Sequence, residues 1–161
     1  MGTIATMKPV SRALVEAFYH ALANGDFATV ASHLADDVEW TIGGPVDLLH
    51  YCGTRRGKAA VLDLLERKVP LLFDARRFIA DALLVDGDRA AILGRMSDVK
   101  RDTGRSINYR ISQFLRFRHG KVVEYVSVLD SFDAVEQVIG RRIDVAKDGD
   151  DARAIGDIVA L

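Results

Sequence analysis

Gln113 is the residue whose type fits its surroundings least, and the mismatch marks a position where chemistry could take place. It lies among Ile111, Leu115 and Phe117 on the apolar face of an alternating run. A buried side-chain amide needs a partner, because leaving it unpaired costs roughly 1–3 kcal/mol. The amide could contact a ligand at the floor of a pocket and polarise a carbonyl group by donating a hydrogen bond. The alternative is a glutamine satisfied by a neighbouring strand or helix end.

A proton carrier is the second requirement for chemistry on a carbonyl compound. Asp130 is the best-placed carboxylate, because it ends the last predicted strand, where the rim of a concave sheet is expected. Its alternative role is to cap the helix that begins at Ser131, since a carboxylate is favourable at a helix N-terminus. Turn or surface roles are favoured for Asp98 and Asp37.

Aromatic and apolar side chains would form the walls of such a pocket. Trp40 and Ile42 share one face of a short strand, and Trp40 either lines the pocket or packs in the core. The same alternation directs four residues of the last hairpin to the interior, namely Tyr109, Tyr125, Ser127 and Leu129. These side chains are the predicted ligand contacts.

Neither a metal nor an organic cofactor is predicted. No two of the histidines His20, His33, His50 and His119 stand four residues apart, and the single cysteine, Cys52, excludes a cysteine cage. The glycines after Ile42 lack the spacing of a phosphate-binding loop and a following Lys-Ser or Lys-Thr.

The elements that position these residues follow from hydrophobic periodicity. Apolar residues three to four apart predict three helices: one that ends at Gly25, one that Asp26 caps, and one between Gly57 and Pro70. A short strand at 38–42 precedes a long loop at 43–56. From residue 73 the period is two, which predicts strands at 73–85, from the turn at 86–88 to about 101, at 107–118 and up to 129, the last two joined by a His119–Gly120 turn.

This order indicates a single α+β domain over residues 1–161. Its core spans about residues 10–139, with a loose arm at 1–8 and a C-terminal extension at 141–161 in which residues 155–159 favour a last helix. Sequential hairpins make a curved antiparallel sheet, and three to four helices packed across it leave a cone with an open end. That concavity is a natural site for a small molecule.

Composition excludes several classes of protein. The net charge of −1 argues against binding nucleic acid, which needs a basic surface. No apolar run approaches the roughly 20 residues of a membrane span. The first residues show no basic region followed by a long apolar stretch, so a cytoplasmic protein is expected.

The order of several short segments resembles the nuclear transport factor 2-like superfamily, and more narrowly the SnoaL-like, ketosteroid isomerase-related group. The segments that carry the resemblance are 23–27 (ANGDF), 34–40 (LADDVEW), 57–61 (GKAAV), 86–89 (DGDR), 117–125 (FRHGKVVEY) and 129–130 (LD). The resemblance covers about residues 10–139 and implies the cone-shaped, cystatin-like fold. It also implies a homodimer through the outer face of the sheet.

The resemblance has consequences for the site. Ketosteroid isomerase binds an enolate oxygen with a tyrosine and a protonated aspartic acid and moves the proton with a second aspartate. Those positions fall on Phe18, Gln113 and Ile42, so the standard residues of that enzyme are absent and Phe18 would line the cone without taking part in chemistry. The acidic residue that SnoaL-type cyclases and limonene epoxide hydrolase carry on the last strand falls at or near Ser127.

Three functions stay open at this point. The first is an enzyme that isomerises, cyclises or hydrates a small apolar or carbonyl-containing compound, with Gln113 as polarising donor and Asp130 as proton carrier. The second is a protein that binds such a ligand without converting it. The third is a dimeric scaffold, whose subunits meet through the polar outer face of the sheet: Asn108, Arg110, Ser112, Arg116 and Arg118.

Overall fold

The computed structural model describes residues 9–143, and every structural statement below concerns that part of the chain. The predicted N-terminal arm, the helix predicted at 155–159 and most of the C-terminal extension lie outside the described residues.

The helices are α1 Arg12–Asn24, α2 Phe27–His33, α3 Lys58–Asp63, α4 Val69–Leu72 and α5 Ser131–Ile139. Between α3 and α4 the chain winds through a π-helical segment, Leu64–Lys68, so that 58–72 is one continuous helical run. The prediction that Pro70 ends this run was wrong. Pro70 lies in the first turn of α4, where a missing N–H group is tolerated.

Local capping sets the ends of the first two helices, and the sequence predicted two of these features, the end of α1 at Gly25 and the cap of α2 by Asp26. The Ser11 side chain caps α1 by accepting from the backbone N–H of Leu14, and Gly25 ends the helix with a φ of 66°. Asp26 then caps α2 by accepting from the N–H of Thr29 at 3.1 Å. These caps turn the chain sharply between two short helices.

The strands are β1 Leu34–Ile42, β2 Gly53–Arg56, β3 Phe73–Asp86, β4 Arg89–Lys100, β5 Ser106–Arg118 and β6 Lys121–Leu129. Within residues 9–143 they form one six-stranded sheet in the order β2-β1-β6-β5-β4-β3. The predicted α+β architecture is confirmed, although β1 runs parallel to β6 while the other pairs are antiparallel. β2 was predicted to be loop, and only its pairing with β1 makes it a strand.

The last hairpin turns as predicted, through two residues. His119 and Gly120 have φ values of 52° and 74°, the pair of positive angles that a tight type I′ turn requires. The register that starts at this turn shifts by one residue between Phe117 and Arg116, and beyond that shift Gln113 lies opposite Ser127. Ser127 in turn pairs with Ile42 on β1, so these three side chains form one row across the inner face.

A β-bulge interrupts the start of β3. Asp74 pairs with Val99 and Arg77 with Ser97, which leaves Ala75 and Arg76 opposite the single residue Asp98. Ala75 has a φ of 45°, a left-handed conformation that costs a residue with a Cβ about 1–2 kcal/mol. Such bulges change the direction in which a side chain points.

The hydrophobic core lies between the inner face of the sheet and the helices. No helix within the described residues is both long and apolar enough to cross a membrane.

Candidate functional site

An internal cavity of about 240 Å³ lies between the inner face of the sheet and the helical layer. The predicted site residues that line it are Trp40, Ile42, Tyr109, Gln113, Tyr125, Ser127 and Leu129. The sheet register explains this grouping, because alternate residues of β1, β5 and β6 point to the same side. That these side chains hold a ligand stays a prediction.

Phe18 does not line the cavity. Its side chain is fully buried and packs edge-on against Trp40, with ring centroids 6.5 Å apart. The next residue of α1, Tyr19, lines the cavity instead. One step along a helix turns a side chain by about 100°. The orientation of α1 that buries Phe18 against Trp40 therefore directs Tyr19 to the cavity.

Asp130 does not reach the cavity either. It is the N-cap of α5, where its exposed carboxylate accepts a hydrogen bond from the backbone N–H of Asp133 at 3.2 Å. This was the alternative role that the sequence left open for Asp130. Because Asp130 is not among the residues that line the cavity, the carboxyl groups beside the cavity are also candidates for the proton carrier.

Asp98 is the buried carboxyl group next to the cavity. It is fully shielded from solvent, and its Oδ2 accepts a hydrogen bond of 3.1 Å from the hydroxyl of Tyr109, a residue of the cavity wall. The prediction of a turn or surface role for Asp98 was wrong. The signal was present in β4, where Ala90, Ile92, Met96 and Asp98 alternate on one face.

Arg76 approaches the same carboxyl group from the bulge in β3, with 3.4 Å between its Nε and Oδ1 of Asp98. Burial raises the pKa of Asp98 above its usual range, and the nearby charge of Arg76 and the hydrogen bond from Tyr109 offset this only in part. A carboxyl group with a raised pKa is a better base than an ordinary one, and Asp98 lies one hydrogen bond from the cavity.

Tyrosine hydroxyls supply much of the polarity of the cavity wall. Burial raises the pKa of Tyr51 to about 12, and it raises the pKa values of Tyr19, Tyr109 and Tyr125 as well. All four therefore keep their protons at neutral pH and can donate hydrogen bonds. Tyr51 comes from the long loop before β2, and no local pattern in the sequence predicts that this residue lines the cavity.

Several polar atoms of the wall are buried and have no hydrogen-bond partner among residues 9–143. They are Tyr19 Oη, Trp40 Nε1, Tyr51 Oη, Gln113 Oε1 and Ser127 Oγ. Native structures pair nearly all such groups, because an unpaired one costs about 1–3 kcal/mol. Water or a polar ligand in the cavity would pair these atoms.

Two aromatic pairs shape the apolar parts of the wall. Trp40 and Tyr125 stack across β1 and β6 with ring centroids 3.6 Å apart and planes 9° apart. Tyr19 stacks on Phe78, whose ring lies so close to Gly94 that a Cβ at that glycine would sit 2.6 Å from it. Gly94 is thus required for Phe78 to lie against the sheet.

The part of the chain that the structure describes contains no group of three or more histidine, cysteine, aspartate or glutamate side chains that could hold a metal ion. The site described here consists of phenols, an amide, a hydroxyl group, a guanidinium group and a carboxyl group. These groups can bind and transfer protons.

A family profile for the SnoaL-like domain matches residues 15–125, most of the chain. The protein belongs to the SnoaL-like family. The resemblance seen in the sequence is thereby confirmed, and so is the expected α+β cone of the nuclear transport factor 2-like fold.

Solved structures agree with this assignment. A candidate isomerase from Rhodopseudomonas palustris is 33% identical, with 80% of this chain and 94% of that chain covered and a TM-score of 0.69. An NTF2-like protein from Burkholderia thailandensis is 28% identical, with 79% and 95% covered and a TM-score of 0.69. An LEH-like epoxide hydrolase from M. tuberculosis, at 20% identity with 80% and 88% covered and a TM-score of 0.64, shares the fold. A search of curated proteins gave no significant match.

Proposed function

We propose that this SnoaL-like protein is an enzyme that moves protons on a small, mostly apolar carbonyl or ring compound held in the cavity. The reaction would be an isomerisation, a cyclisation or a hydration carried out by side chains without a cofactor. The observation that carries the proposal is the hydrogen bond between Tyr109, on the cavity wall, and the buried carboxyl group of Asp98. It connects the cavity to a group that can take up and return a proton.

In the simplest form of this chemistry, Asp98 acts through Tyr109. The phenol passes its proton to the carboxylate of Asp98 as it takes a proton from a carbon that is conjugated with the ligand carbonyl, so the net transfer is from ligand to Asp98. The electron pair left behind becomes an enolate, whose oxygen is stabilised by hydrogen bonds from Gln113 and Ser127. Asp98 returns the proton through Tyr109 to another carbon of the enolate, which gives the isomer and restores both side chains.

The electrostatics of the site favour this scheme over direct catalysis by a tyrosine. A phenol whose pKa is raised by burial is a poor base by itself, whereas a carboxyl group whose pKa moves up towards neutrality becomes a better one. The likeness to a candidate isomerase supports the same class of reaction.

Hydrogen–deuterium exchange tests the proposal without requiring the natural substrate. A panel of small ketones and aldehydes is incubated with the protein in D₂O, and loss of the α-proton signal is followed by NMR. We expect saturable exchange with at least one compound, slowed about 10²-fold or more in Tyr109→Phe. Thr54→Val serves as the control. It removes a hydroxyl that lies 2.9 Å from the hydroxyl of Thr41, and neither residue lines the cavity. Exchange no faster than in buffer across the panel would count against an enzyme.

A second function, ligand binding without conversion, is favoured by one observation. Asp98 lies behind Tyr109, and the cavity wall within residues 9–143 contains no aspartate or glutamate. Saturable binding with no exchange and no turnover would select this alternative.

A homodimer through the outer face of the sheet is proposed for either function. Beside the polar residues predicted for this contact, the face exposes large apolar side chains, among them Leu84, Leu93, Phe114 and Val128. The register groups them, because Phe114 and Leu84 both lie level with Ala91, and Leu93 and Val128 both lie level with Ser112. A second copy that packs on this face would remove them from water.

The cytoplasmic location and the lack of nucleic-acid binding stay predictions from the sequence.

A further inference from the structure

We propose that Arg76 binds the carboxylate of a small organic acid, whose other end carries a carbonyl or hydroxyl group that faces Gln113 and Ser127. The inference rests on the proposed function, since it concerns the same cavity, and it narrows the substrate class from neutral apolar compounds to oxygenated organic acids. It also gives Arg76 a binding role, which the sequence did not suggest.

The backbone places Arg76 at this position at a conformational cost. Arg76 follows Ala75, whose φ of 45° is left-handed, in the bulge where two residues of β3 oppose Asp98 alone. Successive residues of a strand point to opposite faces, so the sequence alone does not show which of Arg76 and Arg77 faces the helices. The bulge instead brings Arg76 to the cavity wall beside Asp98. Strained backbone of this kind is characteristic of binding and catalytic sites.

Arg76 introduces a positive charge into a wall that is otherwise uncharged. Among the described residues that line the cavity, none is a lysine, a histidine, an aspartate or a glutamate. The side chain is two-thirds shielded, with 33% of its surface exposed. A cation in such surroundings is stabilised by a nearby anion.

The charge of Asp98 favours the guanidinium form of Arg76, but Oδ1 of Asp98 forms no hydrogen bond with it. The guanidinium group approaches Asp98 through Nε at 3.4 Å, which leaves the two terminal nitrogens available for a ligand. Burial also raises the pKa of Asp98, so the carboxyl group is less ready to carry a full negative charge than an exposed one. A ligand carboxylate can accept two parallel hydrogen bonds from a guanidinium group, the geometry for which arginine is suited.

Phenol groups beside Arg76 can also donate hydrogen bonds to such an anion. Tyr51 and Tyr109 lie close enough to Arg76 to influence its pKa, and both keep their own protons. The hydroxyl of Tyr51 is buried at this end of the cavity and keeps its proton, so it can donate to the same carboxylate. An uncharged ligand would leave this end of the cavity with donors that lack acceptors.

The second polar group of the ligand follows from the other end of the cavity. Gln113 stands four residues beyond Tyr109 on β5, about 13 Å along the strand, and pairs with Ser127 on β6. Both have a buried side-chain oxygen without a partner in the described chain. A ligand hydroxyl group at this end can donate to Oε1 of Gln113, and a ligand carbonyl or hydroxyl group can accept from the hydroxyl of Ser127, with apolar atoms between this end and the Arg76 end.

The structural alternative is that Arg76 serves only to neutralise Asp98. The two roles differ in their response to Asp98→Asn. If Asp98 competes with a ligand anion for Arg76, removing its charge strengthens anion binding. If Arg76 serves only to neutralise Asp98, the same substitution leaves anion binding unchanged, or it unfolds the protein and binding is lost for that reason.

A pair of matched probes tests the inference. The anion 4-nitrobenzoate and its neutral analogue 4-nitrobenzamide have nearly the same shape, and both quench tryptophan fluorescence. Trp40 is the single tryptophan of the chain and lines the cavity, so its emission reports occupancy. We expect the wild-type protein to bind the anion at least about tenfold more tightly than the amide. Charge-assisted hydrogen bonds are stronger than neutral ones, and the difference in free energy corresponds to about this factor in affinity.

Four variants decide the cause of the preference. Arg76→Gln should bind both probes with the same affinity, while Arg76→Lys should keep part of the preference. Arg95→Gln is the matched control, because Arg95 pairs with Asp81 at 3.0 Å and does not line the cavity. Asp98→Asn should increase the affinity for the anion. Circular dichroism of each variant shows whether it is folded.

Equal affinities for the two probes in the wild-type protein, no binding of the anion at millimolar concentration, or an unchanged preference in folded Arg76→Gln would overturn the inference. The outcome is separable from that of the proposed function. An anion preference that depends on Arg76, without any proton exchange, keeps this inference and removes catalysis. Exchange on neutral ketones without an anion preference does the reverse.

Discussion

The hydroxyl of Tyr109 donates a hydrogen bond of 3.1 Å to Oδ2 of Asp98, and through it a carboxyl group that solvent does not reach is coupled to the cavity. Tyr109 is on β5 and Asp98 on the neighbouring β4. The residue directly opposite Asp98 is Ile107, and Tyr109 follows it two residues later on the same face. The contact is therefore diagonal across the inner face of the sheet, where only a long side chain such as tyrosine can make it.

The raised pKa of Asp98 predicts a pH dependence of folding stability. The folded protein keeps this proton at pH values where the unfolded chain, with an ordinary pKa of 3.8, has released it. The stability that Asp98 contributes is fully present below pH 3.8 and is lost as the pH rises through the raised folded-state value. Urea unfolding of the wild type and Asp98→Asn, measured from acid to neutral pH, should show the wild type losing stability relative to the variant. Parallel curves would contradict the assignment.

Gln113→Leu separates function from stability. The substitution removes an amide whose oxygen is buried without a partner in the described chain, so we expect the free energy of unfolding to be unchanged or to rise by up to about 1 kcal/mol. Turnover or proton exchange should fall about 10²-fold or more, the usual cost of losing a donor to a developing oxyanion.

Leu115→Met is the control for Gln113→Leu, since Leu115 is buried on the same strand face and lies outside the cavity wall. Unchanged rate constants in Gln113→Leu would remove Gln113 from the mechanism.

Ala75→Gly probes the strain in the bulge. A glycine adopts the φ of 45° without a steric penalty, and this gain exceeds the entropy that glycine adds to the unfolded chain. We expect the free energy of unfolding to rise by about 0.5 kcal/mol. Ala91→Gly, in the regular part of β4, should instead lower it by roughly 0.5–1 kcal/mol. Equal losses in the two variants would mean that Ala75 carries no strain.

Asp130→Ala tests whether Asp130 acts as a cap or as a proton carrier. Removing the acceptor for the N–H of Asp133 should lower the free energy of unfolding by about 1 kcal/mol, and Asp130→Ser should restore most of it. Any rate of proton exchange should stay at the wild-type value. A large loss of rate in the folded Asp130→Ser variant would return Asp130 to the mechanism.

Phe114→Glu tests the proposed homodimer. Phe114 is 52% exposed on the outer face of β5, and a charge there should convert a dimer into a monomer in sedimentation experiments. Phe132→Glu is a matched control, because Phe132 is 51% exposed but lies on α5. A wild-type protein that sediments as a monomer, or a Phe114→Glu variant that stays dimeric, would refute this interface.

The sequence determined the elements that depend on neighbours along the chain. Period-two patterns predicted the long strands, the His119–Gly120 pair predicted a two-residue turn, and Asp26 predicted a helix cap. These features are encoded by a few adjacent residues, so one sequence is enough to recognise them. The inward direction of Gln113, Tyr109 and Ser127 followed from the same alternation.

Only the tertiary structure decided which chemical groups meet. The rotation of α1 exchanged Phe18 for Tyr19, the capping of α5 held Asp130 at the surface, and the long loop brought Tyr51 over the cavity. The bulge in β3 and the register with β4 set Arg76 beside Asp98, two residues that are 22 positions apart. Each of these depends on contacts between distant segments, whose free energies are summed over the whole core and leave no local pattern in the sequence.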